Sequence, residues 1–211
     1  MLKVYGRANS INVRKVLWCA GELGLDVERE DWGRGFRATS DPAYQAINPL
    51  ELVPTTVDVD GDGEVTLRDS HATIRYLAAK YGDDALYPAD LVKRARVDAW
   101  MEFAGADTAV ALRGIFIGGV VGQAPFNAPE FIATGRAMII GLMGKVDATL
   151  REGHAFICGD TFTLADIPLG LVVNRYFVLI EDGPEYAALR TYYDRLNERP
   201  AYQEHGRNGL P

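Results

Sequence analysis

The chain has 211 residues, of which 48% are hydrophobic and 24% charged, and its formal net charge is −7 at pH 7. This length is enough for one large or two modest folded domains, and the composition contains no low-complexity run and no apolar run long enough to span a membrane. The acidic balance argues against a nucleic-acid backbone as the main partner, because such binding depends on clustered Lys and Arg.

The start of the chain, MLKVYGRANS, has neither the basic segment nor the apolar core of a signal peptide. Two cysteines far apart in the sequence, Cys19 and Cys158, do not form a disulfide framework. Neither belongs to a Cys-x-x-Cys pair, so thiol–disulfide exchange lacks its second sulfur. We therefore expect a cytoplasmic protein with two structural cysteines and no membrane partner.

The first 30 residues predict a strand, a helix and a second strand. Leu2–Tyr5 is short, apolar and β-prone, and Ser10 follows as the candidate N-cap of a helix with apolar residues at helical spacing. Gly24 is a candidate C-cap for that helix. Val27–Glu30 then alternates apolar and charged residues, as a strand does.

Residues 31–82 predict a second helix, a hairpin and a third helix. A loop leads to a helix capped by Ser40 or Asp41. Two strands, Val57–Val59 and Val65–Leu67, flank the hairpin-forming turn DGDG. Ser70 begins the third helix. The resulting order β-α-β-α-β-β-α is a thioredoxin-like topology.

A polar linker at residues 83–89 separates two kinds of pattern. We predict an α/β, thioredoxin-like domain over residues 1–82 and an all-helical domain over residues 90–211, because the latter carries helical periodicity without strand alternation. In the segment TFTLADI, Thr163 is expected to cap a buried central helix, with Asp166 reaching back to it.

The Val53-Pro54 pair stands directly before a predicted strand. If the bond between these two residues is cis, the backbone N–H and C=O groups of Val53 can turn outward and pair with an extended, peptide-like ligand. The alternative is an ordinary trans proline at the start of a strand.

Asp69 and Ser70 stand where the third helix begins. Free N–H groups and the helix dipole favour an anion there, and the Ser70 hydroxyl adds a donor for a carboxylate. Because Asp69 contributes the opposite charge, the pair can hold a zwitterionic amino-acid head group. A plain helix cap is the alternative.

Ser10 and Asn12 lie at the start of the first helix. The Ser10 hydroxyl can donate to a thiolate that the helix dipole also stabilises, and the Asn12 amide can serve the same sulfur. Lowering a thiol pKa of about 8.5 by roughly 2 units needs about 2.7 kcal/mol. One charge-assisted hydrogen bond and a helix terminus can supply that energy. For Ser10, capping alone is the alternative.

The three histidines lie in no local motif such as G-x-S-x-G and have no obvious orienting acid. We therefore expect neither a serine nucleophile nor a metal site.

Four segments, SINVRKVLW, NPLELVP, LRDSHATIRYLAAKYG and FTLADI, together resemble the glutathione transferase family in order and spacing. The resemblance covers essentially the whole chain, and within the family the chain looks like the bacterial, serine-type members near the theta and beta groups. It implies a cytoplasmic detoxification enzyme, usually a homodimer, that uses glutathione as co-substrate. Its helical domain is expected to complete a pocket for a small hydrophobic electrophile, which receives the glutathione sulfur.

The resemblance also implies roles for individual residues. Ser10 is expected to donate to the glutathione thiolate, with Asn12 assisting or taking over. The backbone of Val53 is expected to bind the cysteinyl part of glutathione, with Pro54 in the cis form. Asp69 and Ser70 are expected to hold the γ-glutamyl amine and carboxylate respectively.

The chain departs from the family pattern N-P-x-G-K/R/x-V-P at Glu51 and Leu52, so the basic side chain that meets the glycyl carboxylate of glutathione is missing. Arg37 or Arg34 is the expected substitute, with solvated surface charge as the alternative. Phe116 is the expected residue of the electrophile pocket, although close helix packing also explains the Gly-rich segment RGIFIGG.

Other functions stay open on the sequence. The same thiolate could serve glutathione-dependent peroxide reduction or dehalogenation. From a different class comes a glutathione-fold binding or interaction protein with little turnover, which the altered LELVP turn supports. A redox role for Cys158 is a third, minor alternative.

Overall fold

The structure is a computed structural model that describes residues 1–61, 63–207 and 209. The chain forms two compact units. Unit 1 comprises Met1–Tyr87 together with the segment that begins at Pro200, and unit 2 comprises Pro88–Arg199. Among the described residues, no helix is both long and apolar enough to cross a membrane.

Unit 1 contains a four-stranded sheet in the order β2-β1-β3-β4. Its strands are β1 Leu2–Tyr5, β2 Val27–Glu30, β3 Thr55–Asp60 and β4 Gly63–Arg68. Strand β1 runs parallel to β2 and antiparallel to β3, which is itself antiparallel to β4. The hairpin strands are longer than predicted, and Asp62 of the predicted DGDG turn lies outside the described residues.

The helices lie between the strands and in the part of the chain that follows them. In chain order they are α1 Ile11–Glu22, α2 Pro42–Gln45, α3 Ser70–Tyr81, α4 Leu91–Glu102, α5 Ala109–Leu112, α6 Pro129–Leu150, α7 Asp166–Leu179, α8 Ala187–Leu196 and α9 Pro200–His205. Two π-helical turns, Phe103–Asp107 and Arg113–Gly118, flank α5. The predicted order β-α-β-α-β-β-α is confirmed, and Asp41 rather than Ser40 caps α2.

Helix α9 packs on α1, within unit 1. The rings of Trp18 and Tyr202 lie 4.5 Å apart, and both side chains are fully buried. This placement differs from the predicted domain limits, which assigned residues 90–211 to the helical domain. The physical reason is the apolar face of α1: burying an aromatic side chain there contributes about 2 to 3 kcal/mol.

One buried carboxylate joins the sheet to α3. Asp58 on β3 is 2% exposed and accepts hydrogen bonds from Lys80 Nζ at 2.7 Å and from the hydroxyls of Tyr76 and Tyr81. Because these three donors all lie in the second half of α3, Asp58 fixes the position of the helix whose first residue is Ser70.

In unit 2, the central helix α7 is buried on all sides through its first three turns, as the apolar run of its sequence predicts. The reach-back of Asp166 is confirmed, because its Oδ2 accepts from the Thr163 N–H at 2.8 Å. The Thr163 hydroxyl, however, also donates to Asp166 rather than accepting from a helix N–H.

Candidate active site

Ser10 occupies the N-cap position of α1, but its side chain does not act as a cap. The backbone is extended there, with φ −88° and ψ 127°, and its carbonyl accepts from the Arg14 N–H at 2.9 Å. Within the described residues the hydroxyl makes no capping hydrogen bond. The hydroxyl therefore stands unused at the positive end of the α1 dipole, where an anion is favoured.

Asn12 is exposed in the first turn of α1, and its Oδ1 accepts a hydrogen bond from Lys15 Nζ at 3.1 Å. Lys15 Nζ also lies 2.9 Å from Nε2 of His71 in α3. The Lys15 and His71 side chains are both buried. Neither residue was singled out from the sequence, although the three-residue spacing of Asn12 and Lys15 on a helix is a signal for contact.

The Val53-Pro54 bond is cis, which is the first of the two predicted alternatives. Beside it, the Tyr44 hydroxyl donates to the Leu52 carbonyl at 2.6 Å and lies 3.0 Å from Thr55 Oγ1. Within the described part of the chain, the N–H and C=O of Val53 have no hydrogen-bond partner. An extended ligand can therefore pair with this backbone as an added strand.

The turn between β1 and α1 lies directly against Val53. A Cβ atom added to Gly6 would be 2.5 Å from Val13 Cγ2 and 3.2 Å from Val53 Cβ. Only glycine fits such an approach, since a side chain would push the turn away from the Val53 backbone. This contact brings the Ser10 turn and the Val53 turn together.

Asp69 caps α3 and adopts a left-handed backbone conformation with φ 71°. Its Oδ1 accepts from the N–H groups of His71 and Ala72, each at 2.9 Å. Asp69 therefore acts as the cap of α3, which was the alternative prediction. Its carboxylate is nevertheless exposed and retains acceptor capacity. Ser70 is different: it is buried, and its hydroxyl has no hydrogen bond within the described residues.

The Arg37 guanidinium already contacts an aromatic ring and two carboxylates. Its guanidinium lies 3.8 Å from the centre of the Trp32 ring, and its nitrogens lie 3.9 Å from Glu30 and 4.0 Å from Asp41 carboxylate oxygens. The side chain is 57% exposed. This arrangement is typical of solvated surface charge, the alternative considered for this residue.

Arg7, in the turn after β1, was not singled out from the sequence. Its Nε atom is buried and has no hydrogen-bond partner in the described part of the chain. A Cβ atom added to Gly33 would lie 2.9 Å from Arg7 Nη1 and 3.6 Å from Val53 Cγ1, so the guanidinium lies close to the Val53 turn. Burial, and then the like charge of Arg34, lower the pKa of Arg7. Two neighbouring guanidinium groups are a favourable place for an anion.

Phe116 is buried in unit 2, at 4% exposure, beneath the guanidinium of Arg175 at 3.9 Å. In the same turn, a Cβ atom added to Gly114 would lie 2.4 Å from the Phe131 carbonyl oxygen on α6. These contacts favour close helix packing as the explanation of the segment RGIFIGG.

The cysteines show no sign of a reactive thiol. Both are free. Burial, and then the charge of Asp166, raise the pKa of Cys158 to about 11, so its thiol stays protonated at neutral pH. Among the described residues there is also no group of His, Cys, Asp and Glu that could hold a metal ion.

Comparison with known proteins gives concordant matches to both halves of the chain. Residues 9–80 match the family model described as Glutathione S-transferase, N-terminal domain, and residues 141–200 match Glutathione S-transferase, C-terminal domain. Glutathione S-transferase GstB of Escherichia coli (strain K12) is 33% identical over 204 residues, covering 97% of each chain.

Solved structures extend the likeness to the fold. The theta class glutathione S-transferase of the citrus canker pathogen Xanthomonas axonopodis pv. citri, with glutathione bound, is 36% identical and has a TM-score of 0.88, covering 100% of this chain and 99% of that one. Glutathione Transferase E6 of Drosophila melanogaster is 30% identical with a TM-score of 0.81, covering 100% of this chain and 93% of that one.

Proposed function

Because the chain belongs to the glutathione S-transferase family, we propose that it binds glutathione with the sulfur at the start of α1 and uses the thiolate to attack a small hydrophobic electrophile. A new bond forms between sulfur and the electrophilic carbon. The leaving group, or the π-system under attack, takes up the displaced electron pair.

One observation carries this proposal. The fold leaves three polar groups without hydrogen bonds inside the described residues: the Ser10 hydroxyl, the Val53 peptide and the Ser70 hydroxyl. Strands β1 and β4 end, and β3 begins, at the same edge of the sheet, because β3 is antiparallel to both. The three groups therefore line one edge, where an extended tripeptide can contact each of them.

The direction of the bound tripeptide follows from the chemistry of each position. The γ-glutamyl carboxylate is proposed to bind at Ser70 and its amine at the Asp69 carboxylate, and the cysteinyl backbone to pair with Val53 next to Pro54. The glycyl carboxylate then points toward β1 and β2, the strands on the other side of β3.

The glycyl carboxylate is proposed to bind Arg7, with Arg34 beside it. Arg7 follows β1 and has a buried, unpartnered Nε, whereas Arg37 already contacts Trp32, Glu30 and Asp41. This proposal replaces Arg37 as the group that compensates for the missing basic residue at position 52.

Thiol activation is proposed to use the Ser10 hydroxyl, the Asn12 amide and the α1 dipole together. A pKa lowered by roughly 2 units corresponds to about 2.7 kcal/mol. That is within reach of one or two hydrogen bonds to a charged sulfur at a helix N-terminus.

The oligomeric state and the cellular compartment are also proposed. A homodimer is proposed on the family resemblance alone. The cytoplasm is the proposed compartment, consistent with two free thiols in a reducing environment. Peroxide reduction or dehalogenation would use the same thiolate, and a panel of electrophiles would separate these reactions from conjugation.

The test is an ultraviolet difference titration of the glutathione thiolate bound to the wild type, Ser10→Ala and Asn12→Ala. We expect the wild type to lower the pKa of the bound thiol and at least one substitution to return it toward about 8.5. If glutathione does not bind, or binds with an unshifted thiol pKa, the proposed thiol activation is wrong and an interaction role becomes the better explanation.

A further inference from the structure

Lys15 is a buried cation on α1, one turn beyond Asn12. It is 6% exposed, and its Nζ atom contacts Asn12 Oδ1 at 3.1 Å and His71 Nε2 at 2.9 Å. A buried ammonium requires hydrogen-bond acceptors, because desolvation without them costs several kcal/mol. The contacts of Lys15 therefore constrain the groups that accept from it.

The contact with Asn12 fixes the orientation of the carboxamide. An ammonium group is a donor only, so the Asn12 atom facing it is the carbonyl oxygen and not the amide nitrogen. The NH2 group lies on the other side of the planar amide and is left as a donor. With the opposite orientation, the carbonyl oxygen would face the sulfur and repel a thiolate.

The contact with His71 holds Lys15 in place from a second helix. Because an ammonium group is a donor only, Nε2 of His71 accepts the hydrogen bond from Lys15 Nζ. The backbone N–H of His71 donates to Asp69 Oδ1 at 2.9 Å. A short chain of hydrogen bonds thus runs from Asn12 in α1 to the first turn of α3.

We propose that Lys15 is a positioning residue for thiol activation: it occupies Oδ1 of Asn12 and so presents the Nδ2 hydrogens to the sulfur of bound glutathione. The inference rests on the proposed function, since it assumes that glutathione binds at this edge of the sheet. The competing explanation is that Lys15 only links α1 to α3, in which case its loss lowers stability and leaves the thiol unchanged.

A double-mutant cycle tests the proposal on the whole chain. The four proteins are the wild type, Lys15→Met, Asn12→Ala and the double variant, with Lys145→Met as the matched control, since Lys145 is an exposed lysine on α6. For each protein the thiolate absorbance of bound glutathione is titrated with pH, and glutathione affinity and chemical unfolding are measured in parallel.

Lys15→Met is expected to raise the pKa of the bound thiol by about 0.5 to 1 unit, a roughly three- to tenfold fall in its acid dissociation constant. In the Asn12→Ala background the same substitution is expected to have no effect on that pKa, because there is no amide left to orient. Lys15→Arg keeps a charged donor and is expected to restore most of the shift. Lys145→Met is expected to match the wild type.

Two results would overturn the proposal. An unchanged thiol pKa in Lys15→Met means that the lysine is purely structural. An equal shift with and without Asn12 means that its charge acts directly on the sulfur. If Lys15→Met does not fold, His71→Leu replaces it in the same cycle, since it removes the acceptor that holds Lys15, and a smaller, Asn12-dependent shift is expected. If the wild type itself does not lower the thiol pKa of bound glutathione, the proposed thiol activation is wrong, and the role of Lys15 that rests on it is wrong as well.

Discussion

The side-chain nitrogen of Asn48 donates a hydrogen bond to the carbonyl oxygen of Leu52 at 2.8 Å. The same nitrogen donates to Thr55 Oγ1 at 2.9 Å, so Asn48 braces the chain on both sides of Val53 and Pro54. Its Oδ1 accepts from the Leu50 N–H at 3.0 Å. Asn48 is 1% exposed, and it therefore fixes the turn from inside the protein.

Asn48→Ala is expected to lower the free energy of unfolding by about 1 to 2 kcal/mol, because the Leu50 N–H loses its acceptor while Tyr44 still binds Leu52. The glutathione dissociation constant is expected to rise severalfold, since the Val53 backbone is less well fixed. Chemical denaturation and calorimetry measure the two effects. Asn127→Ala, which removes an exposed amide bonded to the Gly122 carbonyl, is the control and should change neither.

Arg7→Ala is expected to weaken glutathione binding by about 1.5 to 3 kcal/mol, a roughly 10- to 150-fold loss, because a charge-assisted bond to the glycyl carboxylate disappears. The sharper measurement uses γ-glutamylcysteine, which lacks glycine. The wild type and Arg7→Ala should bind this truncated thiol equally well.

Arg37→Ala is the matched comparison for Arg7. It should leave glutathione affinity nearly unchanged, since its guanidinium is held by Trp32, Glu30 and Asp41. If Arg37→Ala alone weakens glutathione binding, and does not weaken binding of γ-glutamylcysteine, then Arg37 rather than Arg7 binds the glycyl carboxylate.

Glu51→Gly is expected to raise the free energy of unfolding by about 0.5 to 1 kcal/mol. Glu51 has φ 57°, a left-handed conformation that costs a non-glycine residue about 1 to 2 kcal/mol. The entropy of added glycine offsets about 0.5 to 1 kcal/mol of that gain. Leu50→Gly, at an exposed neighbour with an ordinary φ, should instead destabilise the protein; equal effects at both positions would contradict the argument.

Asp58 should make stability fall in acid. Burial alone raises the pKa of Asp58, but hydrogen bonds from Lys80, Tyr81 and Tyr76 outweigh it, and the pKa lies below its ordinary value. A folded-state pKa below the unfolded one gives stability that is complete above about pH 4 and lost as the pH falls through the folded value. This contribution disappears in Asp58→Asn.

The stability difference between the wild type and Asp58→Asn is therefore expected to be constant near neutral pH, at about 2 kcal/mol, and to shrink below about pH 4. Urea denaturation across this pH range measures it. Asp26→Asn removes an exposed carboxylate before β2 and serves as the reference; a parallel pH dependence in both variants would rule out Asp58 as the source.

Local patterns predicted the order of strands and helices over residues 1–82 well, because alternation, helical spacing and capping residues can be recognised from neighbouring positions in the sequence. Ser10, Val53 and Ser70 were singled out for the same reason: each stands at the end of an element, where backbone groups lack partners. The limits of the hairpin strands were harder to predict, since polar residues such as Thr55 and Thr56 are buried by pairing that the local pattern does not reveal.

The burial of Arg7 and Lys15 could not be predicted from local patterns. Arg7 and Lys15 resemble ordinary surface residues in the sequence, and their burial depends on Gly33 and His71, which lie far along the chain. Conversely, Arg37 or Arg34 was expected to meet a carboxylate, with solvated surface charge as the alternative, and Trp32 and two acidic residues lie within reach of Arg37. Long-range packing decides which charges are free, and sequence spacing does not encode it.

The packing of Tyr202 on Trp18 has a consequence for synthesis. A ribosome makes α1 and the sheet first, then all of unit 2, and only afterwards the helix that covers Trp18. The nascent glutathione-binding unit must therefore keep an aromatic ring of α1 uncovered until late in translation. Final closure of its core is a late event, and the incomplete chain exposes an apolar surface that a chaperone could shield.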